Sequence, residues 1–210
     1  MVLRINRFLP FTRAEGPGNR ACLWVQGCPI RCPGCAVPWT WPDDGGQTVS
    51  VADLAEQILN GPEIEGVTFL GGEPFAQAKA LASLGTIVKE AGLSIVTFTG
   101  YELDFLQGAQ DDDLLDLLHI TDLLIAGPFR RECLDLSRPW VGSSNKQFHF
   151  LTDRYSHIQE HLQSIPNRME IRLLPSGEVR VNGMFQPAHL AFLRDVLHPA
   201  SNEHPIAHGS

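Results

Sequence analysis

The sequence lacks the features that would place the chain on a nucleic acid or in a membrane. It has no run of basic residues, and its 210 residues carry a formal net charge of −8. A nucleic-acid groove or an anionic membrane surface needs clustered Lys and Arg, so neither is expected as the main partner. Arg4 and Arg7 lie near the N-terminus, but no continuous apolar segment of the signal-peptide kind follows them. No stretch approaches the roughly 20 apolar residues that cross a bilayer. The expected location is the cytoplasm. Internal repeats and low-complexity segments are also missing, so solenoid and linker architectures are not expected. Cysteine is scarce. Five residues, three of them tightly spaced, suit a metal site in a reducing compartment better than a disulfide framework.

What is present is a hydrophobic fraction of 43% beside 19% charged residues, ordinary for a soluble enzyme with one good-sized core. Residues 1–197 read as a single domain, with 1–19 as an N-terminal arm and 198–210 as a polar, frayed tail. Arg20 to Gln26 reads as a first strand ending at Gly27. Ser50 is a candidate cap for a helix carrying Val51, Leu54, Ala55 and Ile58 at helical spacing. Gly66 to Leu70 is a second strand, followed by a helix through Ala78, Leu81 and Val88. Leu93 to Thr99 is a third strand, Asp111 to His119 a helix, Asp122 to Ala126 a fourth strand and Lys146 to Leu151 another. A hairpin is expected from Met169 to Leu174 and Glu178 to Asn182 about the turn Pro175-Ser176-Gly177, then a last helix near Pro187 to Leu197. Alternating strands and helices predict an α/β fold. We expect a partial, open β/α barrel of mainly parallel strands with helices outside, plus the C-terminal β-hairpin.

The strongest chemical signal is Cys28-Pro29-Ile30-Arg31-Cys32-Pro33-Gly34-Cys35, a CxxxCxxC loop directly after the first strand. Two prolines and a glycine forbid a regular helix, so the segment must wrap and turn three thiolates toward one body. Three cysteines on a [4Fe–4S] cube leave one iron open to a small ligand with nitrogen and oxygen donors. Zinc is the competing metal, but a closed zinc site wants four ligands, and no second CxxC pair accompanies this one. Cys22, in a strand, and Cys133, alone in a loop, read as buried or free thiols. The Pro- and Trp-rich stretch from Ala36 to Gly46, with Trp39 and Trp41, reads either as a shield over the cluster or as core anchors.

The second signal is Gly71-Gly72-Glu73-Pro74 at the end of the second strand. Two glycines let a ligand approach the backbone, Glu73 offers a carboxylate to an ammonium group, and Pro74 suits the start of a helix. Alone, this pattern is equally a plain turn.

Together the two motifs resemble those of the radical S-adenosylmethionine (SAM) enzymes. More narrowly, Gly16-Pro17-Gly18-Asn19-Arg20, Gln26-Gly27-Cys28, Cys32-Pro33-Gly34-Cys35, Thr99-Gly100-Tyr101, Gly127-Pro128-Phe129 and Gly142-Ser143-Ser144-Asn145 are similar to the anaerobic ribonucleotide reductase activase branch of glycyl-radical activating enzymes. The resemblance implies that Cys28, Cys32 and Cys35 hold a [4Fe–4S] cluster. It implies that SAM chelates the fourth iron, with Gly71, Gly72, Glu73 and Pro74 receiving the methionine amino group. One-electron reduction would release a 5′-deoxyadenosyl radical that removes a glycine hydrogen from a partner enzyme, an anaerobic ribonucleotide reductase or one like it. Thr99 and Tyr101 are candidate SAM contacts or helix caps, and Ser144 and Asn145 are candidate ribose or carboxylate contacts or a turn. No further cysteine set is available, so an external one-electron reductant such as flavodoxin is implied. Ala36, Ala126 and Lys146 depart from the branch's pattern, which bears on the substrate. The alternatives are a radical SAM enzyme acting on a peptide or small molecule, and a non-catalytic cluster or zinc module.

Overall fold

The computed structural model describes residues 1–184 together with 188, 189, 191 and 192. Seven strands form one sheet in the order β3, β1, β2, β4, β5, β6, β7. These are β1 (Val2–Thr12), β2 (Arg20–Val25), β3 (Gln47–Ser50), β4 (Gly66–Gly71), β5 (Ser94–Phe98), β6 (Leu123–Ala126) and β7 (Gln147–Phe150). The four central strands, β2, β4, β5 and β6, are parallel and adjacent in chain order. Parallel neighbours need crossovers, and the connections supply helices α1 (Val51–Leu59), α2 (Ala78–Glu90), α3 (Leu103–Gln107) and α4 (Asp112–Ile120). A mixed α/β fold with a parallel centre therefore stands as expected. The flanks do not, because β1 and β7 both run antiparallel to their neighbours.

Alternation along each strand divides the core between the two sheet faces. Ala21, Leu23 and Val25 of β2, Val67 and Phe69 of β4, Ile95 of β5, and Leu124 and Ala126 of β6 share one cluster with buried side chains of α1 to α4. The opposite face takes Val96, Leu123 and Ile125, covered by Trp140, Val141 and Tyr155 from the chain beyond β6. Ser50 caps α1 by accepting from the N–H groups of Ala52 and Asp53, and Asp111 caps α4 through the N–H of Asp113. Pro74 opens a 3₁₀ turn, Pro74–Gln77, that leads into α2. Beyond β7 the chain forms short turns about a four-residue α5 (Ser156–Gln159).

Within the N-terminal arm, residues 1–19, Val2–Thr12 forms an interior strand of the sheet. Leu3, Ile5, Leu9 and Thr12 are buried along it. Pro10, which lacks a donor, falls beyond the stretch paired with β3 and next to a break in the β2 register. The hairpin appears as a separate two-stranded sheet, β8 (Met169–Leu173) with β9 (Val179–Gly183). It docks on the end of β1 through polar bonds. Glu170 accepts from Thr12 Oγ1 at 2.7 Å and from the Arg13 N–H at 2.7 Å, while the Gly183 N–H donates to Glu15 at 2.8 Å. The expected helix near Pro187 to Leu197 and the tail 198–210 lie outside the described residues, apart from helical Ala188, His189, Ala191 and Phe192. Among the described residues no helix is long and apolar enough to cross a membrane.

Arg20 fastens the N-terminal ends of the central strands. Fully buried, it donates to Thr68 Oγ1 at 2.6 Å, the Val67 carbonyl at 2.6 Å and Tyr155 Oη at 2.6 Å. A guanidinium with five fixed donors can hold this many neutral acceptors, which is how a buried cation avoids being left unsolvated.

Two outcomes follow for stability. Phe69→Ala removes a ring with no exposure from the centre of β4 and should cost about 3–5 kcal/mol in urea denaturation. Burial pushes the Glu15 carboxyl up to about 7, against the opposing bonds from Asn182 and Gly183. The folded chain therefore holds a proton that the unfolded chain releases at roughly pH 4.3. Stability is fully present below that pH and falls as the pH rises toward 7, by up to about 3 kcal/mol. Glu15→Gln, which keeps an acceptor for Asn182 and Gly183, should flatten this dependence in denaturation curves taken from pH 4 to 8.

Candidate iron–sulfur site

The site is built at the C-terminal ends of the parallel strands, where α/β folds present their ligand-binding loops. β2 ends at Val25, and Gln26 turns the chain into the cysteine loop. Gln26 is buried and holds the following segment in place, its amide donating to the carbonyls of Trp39 at 3.1 Å and Pro42 at 2.7 Å. The N–H groups of Gly27 and Cys28 donate to the carbonyls of Thr40 and Trp41. The loop 28–35 is thus anchored at its base and wraps without helix, with Arg31 in the left-handed region at φ 50°. Trp39 is 60% exposed, so it is not a core anchor. Its carbonyl accepts from Gln26 at the base of the loop.

Gly71 and Gly72 have a role that the sequence did not disclose. A Cβ on Gly72 would lie 2.1 Å from the Gly27 carbonyl oxygen, and one on Gly71 would lie 2.6 Å from Trp24 Cα. The two glycines let the end of β4 press against the chain that enters the cysteine loop, so the close approach is to the protein's own backbone. Two bonds seal it: the Gly72 N–H to the Val25 carbonyl and the Glu73 N–H to the Gly27 carbonyl, each 2.8 Å.

Glu73 is 1% exposed. Its carboxylate accepts from Phe75 N–H at 3.0 Å, Thr99 Oγ1 at 2.8 Å and Gly100 N–H at 2.9 Å, joining the end of β4 to the end of β5. Burial raises its pKa, opposed by those three donors and by the charge of Lys146. Pro74 follows as the first residue of the 3₁₀ turn. A Cβ on Gly100 would touch Ile30 Cδ1 at 2.6 Å, which places Ile30 of the cysteine loop directly over the β5 end. Tyr101 stacks on Phe105 with ring centroids 4.7 Å apart, and burial together with the nearby charges of Glu73 and Cys28 raises its phenol pKa.

The loop after β6 closes the other side. The Gly127 N–H donates to the Tyr101 carbonyl. Asn145 donates through Nδ2 to the Pro128 carbonyl at 2.8 Å, while its Oδ1 is buried with no hydrogen-bond partner among the described residues. Ser144 is exposed, and its backbone N–H donates to the Cys133 carbonyl. The structure therefore brings Cys28, Glu73, Thr99, Gly100, Tyr101 and Asn145 to one sheet edge, with Ser144 exposed beside Asn145. In the sequence Lys146 is visible only as a departure from the branch's pattern. Its ammonium donates to the Thr99 carbonyl at 3.2 Å and to the Gly127 carbonyl, in the middle of this edge. A cavity of about 580 Å³ lined by Gly16, Asn19, Tyr155 and Arg168 sits at the opposite strand ends and contains none of these residues.

The donor set fits a cluster. All five cysteines are free thiols, with Cys28 buried and Cys32 and Cys35 half-buried. Burial raises the Cys28 pKa, while backbone N–H groups of Arg31 and Ile30 act in the other direction. The Val37 N–H donates to Cys35 Sγ at 3.4 Å. Backbone donors aimed at sulfur stabilise the thiolate that iron requires. Among the described residues no three His, Cys, Asp or Glu side chains are gathered tightly enough for a single metal ion. Cys22 is fully buried, its pKa pushed well above the ordinary range by desolvation, as expected of an inert core thiol.

Comparison with known proteins decides the family. A family model described as a 4Fe-4S single cluster domain matches residues 14–149, more than half of the chain. The chain belongs to this iron–sulfur family. The anaerobic ribonucleoside-triphosphate reductase-activating protein of Salmonella typhi is 33% identical over 157 residues, covering 71% of this chain and 99% of that protein. The activating protein of the same name from Enterobacteria phage T4 is 30% identical over 157 residues, covering 72% and 96%. The pyruvate formate-lyase-activating enzyme of Clostridium pasteurianum is 31% identical over 215 residues, covering 92% and 90%. Within the iron–sulfur family the chain is a radical SAM enzyme of the activating kind, and its cofactors are a [4Fe–4S] cluster and SAM.

Gly72→Ala tests the backbone contact. The added methyl meets main-chain atoms that cannot swing aside, so the variant should lose about 1–3 kcal/mol of stability and most of its capacity to retain iron. Iron and sulfide content, read beside a thermal melt, measures both.

Proposed function

We propose that this protein generates a glycyl radical on a partner enzyme. The observation that carries the reading is the joining of the cysteine loop to the Gly-Gly-Glu turn at one sheet edge. This arrangement supports reading the loop as a three-thiolate cluster site beside a buried carboxylate. When bound, the cluster and SAM supply one-electron reductive cleavage to a 5′-deoxyadenosyl radical. The chain's own residues hold and orient. Cys28, Cys32 and Cys35 would ligate the cluster, leaving one iron for SAM. Gly71, Gly72, Glu73 and Pro74 would form the receiving turn for the SAM amino group, with the fixed acceptor oxygens of Glu73 as its anchor. Thr99 and Tyr101 would line the same recess, Asn145 would offer its unpartnered Oδ1 to SAM, and Ser144 would contribute through its backbone.

The order of β2, β4, β5 and β6 in the sheet, with α1 to α4 sharing one core face, supports reading the domain as a partial β/α barrel. The relatives are named as activators of anaerobic ribonucleoside-triphosphate reductase and pyruvate formate-lyase, so the favoured partner is a glycyl-radical enzyme of that kind. Three of five cysteines serve the cluster and Cys22 is enclosed, which leaves no second cluster set. An external one-electron donor such as flavodoxin is therefore part of the proposal, as is a reducing cytoplasmic setting. A net charge of −8 speaks against a nucleic-acid partner. Because Ala36, Ala126 and Lys146 depart from the activase pattern, a peptide or small-molecule substrate is the second reading.

The deciding experiment is anaerobic. The protein is loaded with iron and sulfide, reduced and given SAM, and 5′-deoxyadenosine is quantified with and without a candidate glycyl-radical enzyme. Deoxyadenosine together with a glycyl radical signal on the partner is the expected result. Deoxyadenosine with no effect on any such partner would move the second reading ahead, and none at all from a loaded cluster would return the protein to a binding module. Cys32→Ala should abolish both the cluster and SAM cleavage. Glu73→Gln should retain cluster absorbance and weaken SAM binding about tenfold, or roughly 1.4 kcal/mol. Equal loss of cluster in that variant would make Glu73 a structural strut alone.

A further inference from the structure

Lys146 stands where the branch's sequence pattern does not call for a cation. It lies immediately before β7, and its ammonium reaches two carbonyls at the site edge: Thr99 at the end of β5, and Gly127 just past the end of β6. Both acceptors are neutral. Neither bond neutralises the charge, and no carboxylate forms an ion pair with it among the described residues. Thr99 in turn donates its hydroxyl to Glu73, so Lys146 is one residue removed from the buried carboxylate. Burial lowers the Lys146 pKa, opposed by the charges of Glu73, Cys32, Glu102 and Cys35. Two of these are the thiols assigned to the cluster, one is the carboxylate of the receiving turn, and Glu102 stands at the start of α3 on the adjoining loop. The ammonium thus sits at the site edge, held by two neutral carbonyls and without an ion-pair partner among the described residues.

We propose that Lys146 is a positioning residue whose fixed positive charge stabilises the reduced state of the cluster site. The proposal rests on the cluster assignment made above. A cluster with three thiolates gains one negative charge when an electron arrives from the external reductant, and no proton or bond change accompanies that step. A cation held nearby in a medium of low dielectric favours the more negative state, and so raises the reduction potential. Charge matters here more than hydrogen bonding. Gln at this position keeps an N–H donor for the Thr99 and Gly127 carbonyls and loses the charge, whereas Arg keeps both.

The test is a potentiometric titration of the reconstituted protein, followed by the electron paramagnetic resonance signal of the reduced cluster, for wild type, Lys146→Gln and Lys146→Arg. Cluster loading of the wild type in the same experiment checks the underlying assignment independently. At the solution potential where half of wild-type clusters are reduced, Lys146→Gln should show about a tenfold lower ratio of reduced to oxidised cluster. That corresponds to a fall of about 59 mV for a one-electron couple. Lys146→Arg should titrate with the wild type. If Lys146→Gln fails to hold a cluster while Lys146→Arg holds it at the wild-type potential, the charge requirement also stands, since both side chains can donate to the carbonyls. Equal potentials in fully loaded wild type and Lys146→Gln would overturn the proposal. So would loss of the cluster in both variants, which would leave Lys146 a matter of shape.

Discussion

No atom of a side chain fits between Gly72 and the Gly27 carbonyl, and the rest of the site depends on that contact. Two adjacent parallel strands, β2 and β4, end in loops that must do different work: one wraps three thiols and the other presents a carboxylate. They can act on one ligand only if their backbones stay together past the last ladder bond. The Glu73 N–H to Gly27 bond extends the pairing by that distance. Glu73 then carries the connection to β5 through Thr99 and Gly100, and Lys146 carries it on to the end of β6. A chain of backbone-anchored polar contacts therefore crosses all four parallel strands at one edge. In a low-dielectric site such contacts are strong when satisfied and costly when broken, which favours a single geometry.

The opposite ends of the same strands are fastened by different means. Arg20 gathers Thr68, Val67 and Tyr155 without a carboxylate partner among the described residues, and the hairpin clasps the end of β1 through Glu170 and Glu15. The apolar layers between the two ends set the sheet and the helices. The proposed chemistry lies at the C-terminal edge, while the buried polar anchors of the N-terminal edge serve stability. A substitution near Arg20 or Glu15 should register in unfolding experiments, and one near Gly72 or Lys146 in the properties of the cluster.

Much of this was legible in the sequence wherever the signal was local. Ser50 and Asp111 announce their helices because a capping hydroxyl or carboxylate acts within three residues. Pro175-Ser176-Gly177 announces the hairpin because the turn sets its own geometry. Cys28, Cys32 and Cys35 are readable as a candidate ligand set because a spacing confined to eight residues depends little on the rest of the fold. What was not legible depends on distant partners. Val2–Thr12 reads poorly as a strand because Arg4, Arg7 and Pro10 interrupt its apolar pattern, and only pairing with β2 and β3 makes it one. The antiparallel course of β7 follows from tertiary pairing with β6 and not from its own residues. The close approach of Gly71 and Gly72 to Trp24 and Gly27 joins residues about 45 positions apart and is seen only in the fold. Lys146 gains meaning only from Thr99, 47 positions earlier.

The claim at the centre of this account is that three thiolates hold a cluster and leave one iron free. Mössbauer spectroscopy of protein loaded with ⁵⁷Fe, recorded before and after SAM is added, tests it most directly. The account requires four irons per chain, one of which changes its spectrum on SAM addition while the other three do not. Four irons that all ignore SAM, or a chain that takes up a single metal ion in place of a cluster, would contradict it.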